Sequence, residues 1–176
     1  MHSLQLIYRA MQDEGVDVVA VMLAVAVLAV REAEKAGQLT DDRPQLVIDS
    51  VARLVAGEST RSRTQRELDD LRLTAEPKWK WGAGGDDSDR AGMFAYSAAR
   101  HLAGVVSTYN IASRRHRLHN EMIWTRLGAV SALEALGEGG DDAEARVASV
   151  IEAAMAAPPA RAPGRGRGGR TGRSGP

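Results

Sequence analysis

The sequence predicts an all-α protein: a single bundle of five to seven helices with a disordered C-terminal tail. Three observations lead there. Apolar residues recur at three- and four-residue spacing through most of the chain. Glycines and Asp/Pro clusters punctuate that pattern at intervals suited to short helices. Beyond residue 157 the composition collapses into Pro, Gly and Arg, with no apolar side chain larger than Ala. Such a segment cannot bury enough surface to offset its conformational entropy. The expected organisation is therefore a helical domain over 1–157 and an Arg/Gly-rich tail over 158–176.

The elements follow in order. Residues 3–14 read as a short amphipathic helix interrupted by Gly15. The block from Val16 runs into Arg31-Glu32-Ala33-Glu34-Lys35-Ala36 and stops at Gly37. Its apolar heart, residues 18–30, is 13 residues long between Asp17 and Arg31. That is roughly 20 Å of helix, whereas crossing a bilayer takes about 20 residues. A buried central helix is the reading. Asp41-Asp42-Arg43-Pro44 looks like a helix start, since Asp caps free N–H groups and Pro suits the first turn. Leu46, Val47, Val51, Leu54 and Val55 continue that helix to Gly57.

A polar helix is expected after Ser59, carrying Arg61, Arg63, Arg66, Glu67, Asp69, Asp70 and Arg72. Residues 76–89, with Pro77, Gly82, Gly84 and Gly85, form the longest irregular stretch of the body. Ser88 or Asp89 is positioned to cap the next helix, whose core face holds Met93, Phe94, Leu102, Val105, Val106 and Tyr109. Leu118, Met122, Ile123, Leu127, Val130 and Leu133 mark a further helix, separate from the last or continuous with it. After Gly137, Asp141-Asp142 is expected to cap a final helix with Val147, Val150, Ile151, Ala154 and Met155 on one stripe.

Charge is unevenly spread. The net charge of zero divides into +5 on the tail, from Arg161, Arg165, Arg167, Arg170 and Arg173, and −5 on the body. A mildly acidic body is a poor generic binder of nucleic acid, so attraction to phosphate must come from the tail or a local patch. Cysteine is absent, which excludes disulfides and thiolate chemistry. The first residues lack a basic leader and apolar core, so a cytoplasmic location is expected.

Two clusters are candidate sites. Arg114-Arg115-His116-Arg117 precedes Leu118-His119-Asn120-Glu121. As a metal site, His116, His119 and Glu121 lack the Glu-x-x-His pairing of helical bundles, and three arginines would repel a cation. A solvated helix face and a patch for phosphate or carboxylate both remain open. Trp79-Lys80-Trp81 lies in the irregular stretch. Its rings either cover the end of the bundle or anchor a partner. Asp86, Asp87 and Asp89 lack the residue order of a calcium loop and read as caps. No catalytic constellation and no cofactor motif emerges, and an enzyme with a helical active site stands as the third reading.

Residues 38–48, Gln38-Leu39-Thr40-Asp41-Asp42-Arg43-Pro44-Gln45-Leu46-Val47-Ile48, lead to Gly57-Glu58. This segment resembles part of the helical immunity proteins of bacterial polymorphic toxin systems. In that family an Asp-x-Arg-Pro turn opens a helix ending in Gly-Glu, and Ala-rich helices follow. Tyr96-Ser97-Ala98-Ala99-Arg100-His101-Leu102-Ala103 is similar to those helices, while Leu54 stands where the family carries an aromatic. The resemblance implies a protein that docks on another protein.

The leading expectation is accordingly a non-enzymatic protein-binding module, an immunity or regulatory protein. Trp79, Trp81, Arg114, Arg115, His116 and Arg117 would touch the partner. The alternative is a nucleic-acid-associated accessory protein using residues 114–117 and the tail arginines. The valine-alanine helix is also a candidate homodimer seam, since the sequence does not say which of its faces stay inside one chain.

Overall fold

The computed structural model describes residues 2–77 and 88–158. They form seven α-helices: α1 (Ser3–Gln12), α2 (Val18–Lys35), α3 (Arg43–Val55), α4 (Arg61–Asp70), α5 (Arg90–Thr108), α6 (Arg115–Ala135) and α7 (Gly140–Ala156). A 3₁₀ turn, Ala112–Arg114, leads into α6, and every regular element among the described residues is helical. Trp79, Trp81, Asp86, Asp87 and the tail from residue 159 lie outside the described residues.

The valine-alanine block is the hub. Met22, Val25, Ala26, Ala29, Val30 and Ala33 of α2 are fully enclosed, and Val18, Leu23, Val27 and Leu28 pack at the margin of the core. A helix apolar round most of its circumference can be satisfied only by neighbours on several sides. α2 touches α3, α5, α6 and α7. Asp17 starts it by accepting the Val19 and Ala20 N–H groups at 3.0 and 3.2 Å. Gly37, Gly57 and Gly137 end α2, α3 and α6 with positive φ of 69°, 75° and 95°, the left-handed turn that glycine adopts without a Cβ clash.

The α5–α6 pair forms the most extensive contact in the molecule. Small residues permit it: a methyl group on Gly128 would stand 2.9 Å from the Ala98 nitrogen and 3.0 Å from the Phe94 carbonyl oxygen. The two helices are separate. Asn110, at φ 59°, turns the chain between them, a left-handed conformation that Asn tolerates better than most residues.

Local chemistry bears out the sequence reading at the start of α3 and departs from it at α5 and α7. At α3 the capping carboxylate is Asp41, which accepts the Arg43 N–H at 2.9 Å, while Asp42 occupies the N-cap position in a helical conformation with no side-chain cap. At α5, Asp89 holds the N-cap position without a side-chain cap bond, and the Ala91 N–H donates to Gln38 Oε1 at 2.9 Å. At α7, Gly139 is the N-cap, and Asp141 and Asp142 lie inside the first turn, where their charge complements the helix dipole.

The inner face of α6 differs too. Leu127, expected in the core, is 38% exposed, while Arg126 is only 7% exposed. Arg126 reaches Ser3 Oγ and the Glu144 carboxylate, and Ser3 Oγ also donates to Glu144. The position is buried because α1 and α7 bring a hydroxyl and a carboxylate to meet it.

Candidate functional site

The polar helix α4 is the outer wall of an open groove whose floor is α5 and whose far wall is the start of α6. Only Thr64 and Leu68 of α4 are buried. The rest of the helix presents charge to water and to the groove, as its sequence required. The groove consists of two adjoining hollows of about 400 and 850 Å³, which share Gln65, Asp69, Ser107 and Arg117 as lining.

The turn after α4 completes the wall and is held from a distance. Arg43 donates to the carbonyl oxygens of Leu71, Arg72 and Ala75 at 3.5, 3.3 and 2.9 Å. Its guanidinium pairs with Asp41 at 2.7 Å and lies over the Tyr96 ring at 5.1 Å. The Arg43 hydrogen bond holds the Asp41 carboxyl below its ordinary value despite partial burial. Tyr96 Oη donates to the Leu73 carbonyl at 2.9 Å. Within this turn Arg72 adopts φ 49°, a left-handed conformation that a non-glycine residue holds only when its surroundings enforce it. The Asp-x-Arg-Pro segment thus has a structural role: it fastens one end of the groove.

In the middle of the groove His101 Nδ1–H donates to Glu121 Oε2 at 2.8 Å. The Arg117 Nε stands 3.5 Å from the other carboxylate oxygen. Burial pushes the Glu121 carboxyl upward, but the His101 hydrogen bond and the nearby Arg117 guanidinium outweigh it and hold the group below its ordinary value. An ionised carboxylate fixes the imidazole tautomer with its proton on Nδ1. Gly104 makes this approach possible, since a methyl group there would stand 2.4 Å from the Glu121 carboxyl carbon. The imidazole also stacks on Trp124, with ring centroids 5.9 Å apart and planes 23° from parallel. A carboxylate-oriented imidazole is one part of a hydrolytic centre, but the lining hydroxyl of Ser107 donates to the Gly104 carbonyl at 2.8 Å. The arrangement orients donors and favours recognition of negative charge.

Six arginines line the two hollows: Arg61, Arg66, Arg72, Arg100, Arg114 and Arg117, against Asp69 and Glu121. Arg61 lies over the Tyr109 ring at 4.7 Å and donates to the Ser107 carbonyl at 3.0 Å, which anchors that wall to the end of α5. Burial raises the Tyr109 hydroxyl above its ordinary value. Arg100 pairs with Glu76 at 2.7 Å.

The run at the start of α6 divides. Arg114 and Arg117 face the groove. Arg115 borders a separate cavity of about 270 Å³ beside Asp13 and Glu14 of the α1–α2 connection. His116 is exposed, with its Nε2 3.4 Å from the Asn120 amide. His119 packs on Tyr8 with centroids 4.8 Å apart. His116, His119 and Glu121 therefore meet different neighbours, and no group of three metal-ligating side chains comes together among the described residues.

The Arg61, Arg66 and Arg72 wall and the His101–Glu121 pair were not nominated from the sequence. His101 and Glu121 are 20 residues apart on different helices, and only the α5–α6 pairing brings them together. The available clue was Gly104, a glycine inside an otherwise strong helix, which marks a close approach.

Beyond His101, Trp124 continues the surface. It is 51% exposed, and Leu127, one turn on, is 38% exposed. With Tyr8 and Leu46 they make up the exposed large hydrophobic side chains among the described residues. No helix among these residues is long and apolar enough to cross a membrane. No family model, curated protein or solved structure matches the chain.

Proposed function

We propose that this chain is a non-enzymatic binding module, an immunity or regulatory protein, that docks on a partner protein through the outer face of α6 and the groove beside it. One observation carries the reading. Trp124 is half exposed, yet its ring is fixed in orientation by stacking on His101, and His101 in turn is held by Glu121. An exposed tryptophan on a rigid helix, flanked by Leu127 and by Arg117 one and two turns away, combines the residue types that dominate binding energy at interfaces. Its ring loses little freedom on binding because it is already ordered.

The test is affinity capture from native lysate with the full chain, in wild-type and Trp124→Ala forms, washed at low and high salt. The expected result is one protein retained by the wild type at high salt and lost with Trp124→Ala, by about tenfold or more in affinity. Equal capture of that protein by both forms would remove the α6 face from the contact. Nucleic acid captured at low salt alone would establish the accessory-protein reading through Arg114, Arg117 and the tail.

A further inference from the structure

We infer that the groove between α4 and the α5–α6 pair binds an acidic peptide segment of the partner, which rests on the binding-module reading and names the chemistry the partner must present. The body of the chain carries −5, yet this groove gathers six arginines against two lining carboxylates. Opposite charge has been concentrated where the surroundings would repel an anion. That pattern favours recognition of negative charge at a defined place rather than a generally basic surface.

The two carboxylates do not cancel this. Asp69 accepts the Gln65 amide at 2.8 Å, and Glu121 is held by His101 and Arg117. Asp69 keeps its charge beside a neutral amide and Arg100 is already paired with Glu76, so the groove holds six arginines against three carboxylates, still a local excess of positive charge. The arginines are spread along the groove. Arg61, Arg66 and Arg114 line one hollow, Arg72 and Arg100 line the other, and Arg117 borders both. A single small anion would reach only part of that set. The ten residues of α4 make a wall about 15 Å long, which matches four or five residues of extended peptide at about 3.3 Å each.

A peptide fits better than a nucleic-acid strand. Single-stranded nucleic acid binds where bases stack on aromatic faces beside a cationic track. Among the described residues neither hollow is lined by Phe, Tyr or Trp, and the Tyr109 ring is covered by Arg61. Arginine forks, by contrast, match side-chain carboxylates in paired hydrogen bonds. Trp124 adjoins the His101 end and offers an apolar anchor for residues flanking the acidic run.

The experiment is fluorescence anisotropy on the full chain with a labelled oligo-glutamate peptide, the matching oligo-glutamine peptide, and oligo-thymidylate of equal charge. Four forms are compared: wild type, Arg66→Glu/Arg114→Glu in the groove, Arg9→Glu/Arg31→Glu elsewhere on the surface, and a form with the five tail arginines changed to Ser. All substituted body positions are exposed, and circular dichroism verifies that each form is folded. Oligo-glutamate should bind, oligo-glutamine should not, and the groove reversal should weaken binding by about tenfold or more while the other two forms retain it. Equal binding by the groove form, loss only with the tail, tighter binding of oligo-thymidylate, or no binding at all would each overturn the inference. So would self-association of the wild type that the groove reversal abolishes, which would assign the groove to a second copy. Failure of the underlying reading looks different: oligo-glutamate still binds in the groove, while capture of the partner is indifferent to Trp124→Ala.

Discussion

Two glutamates meet cations beside α6, and they do opposite things. Glu144 on α7 takes Arg126 and Ser3 in a closed cluster, where the guanidinium is removed from water and burial pulls it below its ordinary value. Glu121, on α6 itself, takes His101 and Arg117 in an open cluster bordering the groove. The first joins α1, α6 and α7 and encloses its arginine, with His2 standing 3.9 Å from the carboxylate at its edge. The second joins only α5 and α6 and leaves its arginine facing solvent. A closed charge cluster fixes how helices pack, because removing one partner strands the other in a poor solvent for ions. An open one adds little stability and keeps its donors available for a ligand.

The largest effect should come from breaking the closed cluster. Arg126→Met should lower unfolding free energy by about 3 kcal/mol, because Glu144 and Ser3 lose their partner. Denaturant unfolding measures it. Adding Glu144→Met should recover most of that loss, and a double variant as unstable as the single one would show that packing of the arginine stem matters more than its charge.

Gly104→Ala tests the open cluster from the opposite helix. The new methyl group meets the flexible end of Glu121, so the carboxylate should swing aside at a cost of about 1 kcal/mol. Loss of the His101 contact should appear as a shifted imidazole resonance in NMR. A much larger loss of stability would mean that Glu121 cannot move and that the open cluster is structural as well.

Glu121→Gln sharpens the comparison through pH. A carboxyl held below its ordinary value stabilises the fold above that ordinary value, and the contribution disappears as pH falls through the depressed one. Wild-type stability should therefore fall on acidification more steeply than that of Glu121→Gln. Glu32, lowered chiefly by its Lys35 hydrogen bond, and Asp41, lowered chiefly by Arg43, should leave a residual acid dependence in both forms. Parallel pH curves would remove the His101–Glu121 contact from the stability of the fold.

The smallest expected change is at Arg72. Arg72→Gly relieves a left-handed backbone and should alter stability by no more than about 1 kcal/mol in the favourable direction, partly offset by the greater freedom of glycine in the unfolded chain. It should also weaken oligo-glutamate binding. A rise in stability with unchanged binding would confine the role of Arg72 to the turn.

Sequence alone determined the secondary structure closely. The helix ends at Gly37, Gly57 and Gly137, the buried block of α2 and the polar face of α4 all follow from residue type and spacing, because they depend on neighbours three or four positions away. The aspartate cap expected at α3 is there, and the one expected at α7 was off by only two or three residues. The tertiary structure alone decided which charged residues would be enclosed and which would share a surface. Spacing on α6 cannot say that Arg126 is inside and Leu127 outside, since that depends on Ser3 and Glu144, which lie 123 positions before and 18 positions after the arginine. Nor can it say that Arg66, Arg72, Arg100 and Arg117 line the same groove. Electrostatic and hydrogen-bonding partners are set by the packing of whole helices, and here that packing turned on Asn110 and on two glycines small enough to let α5 and α6 close together.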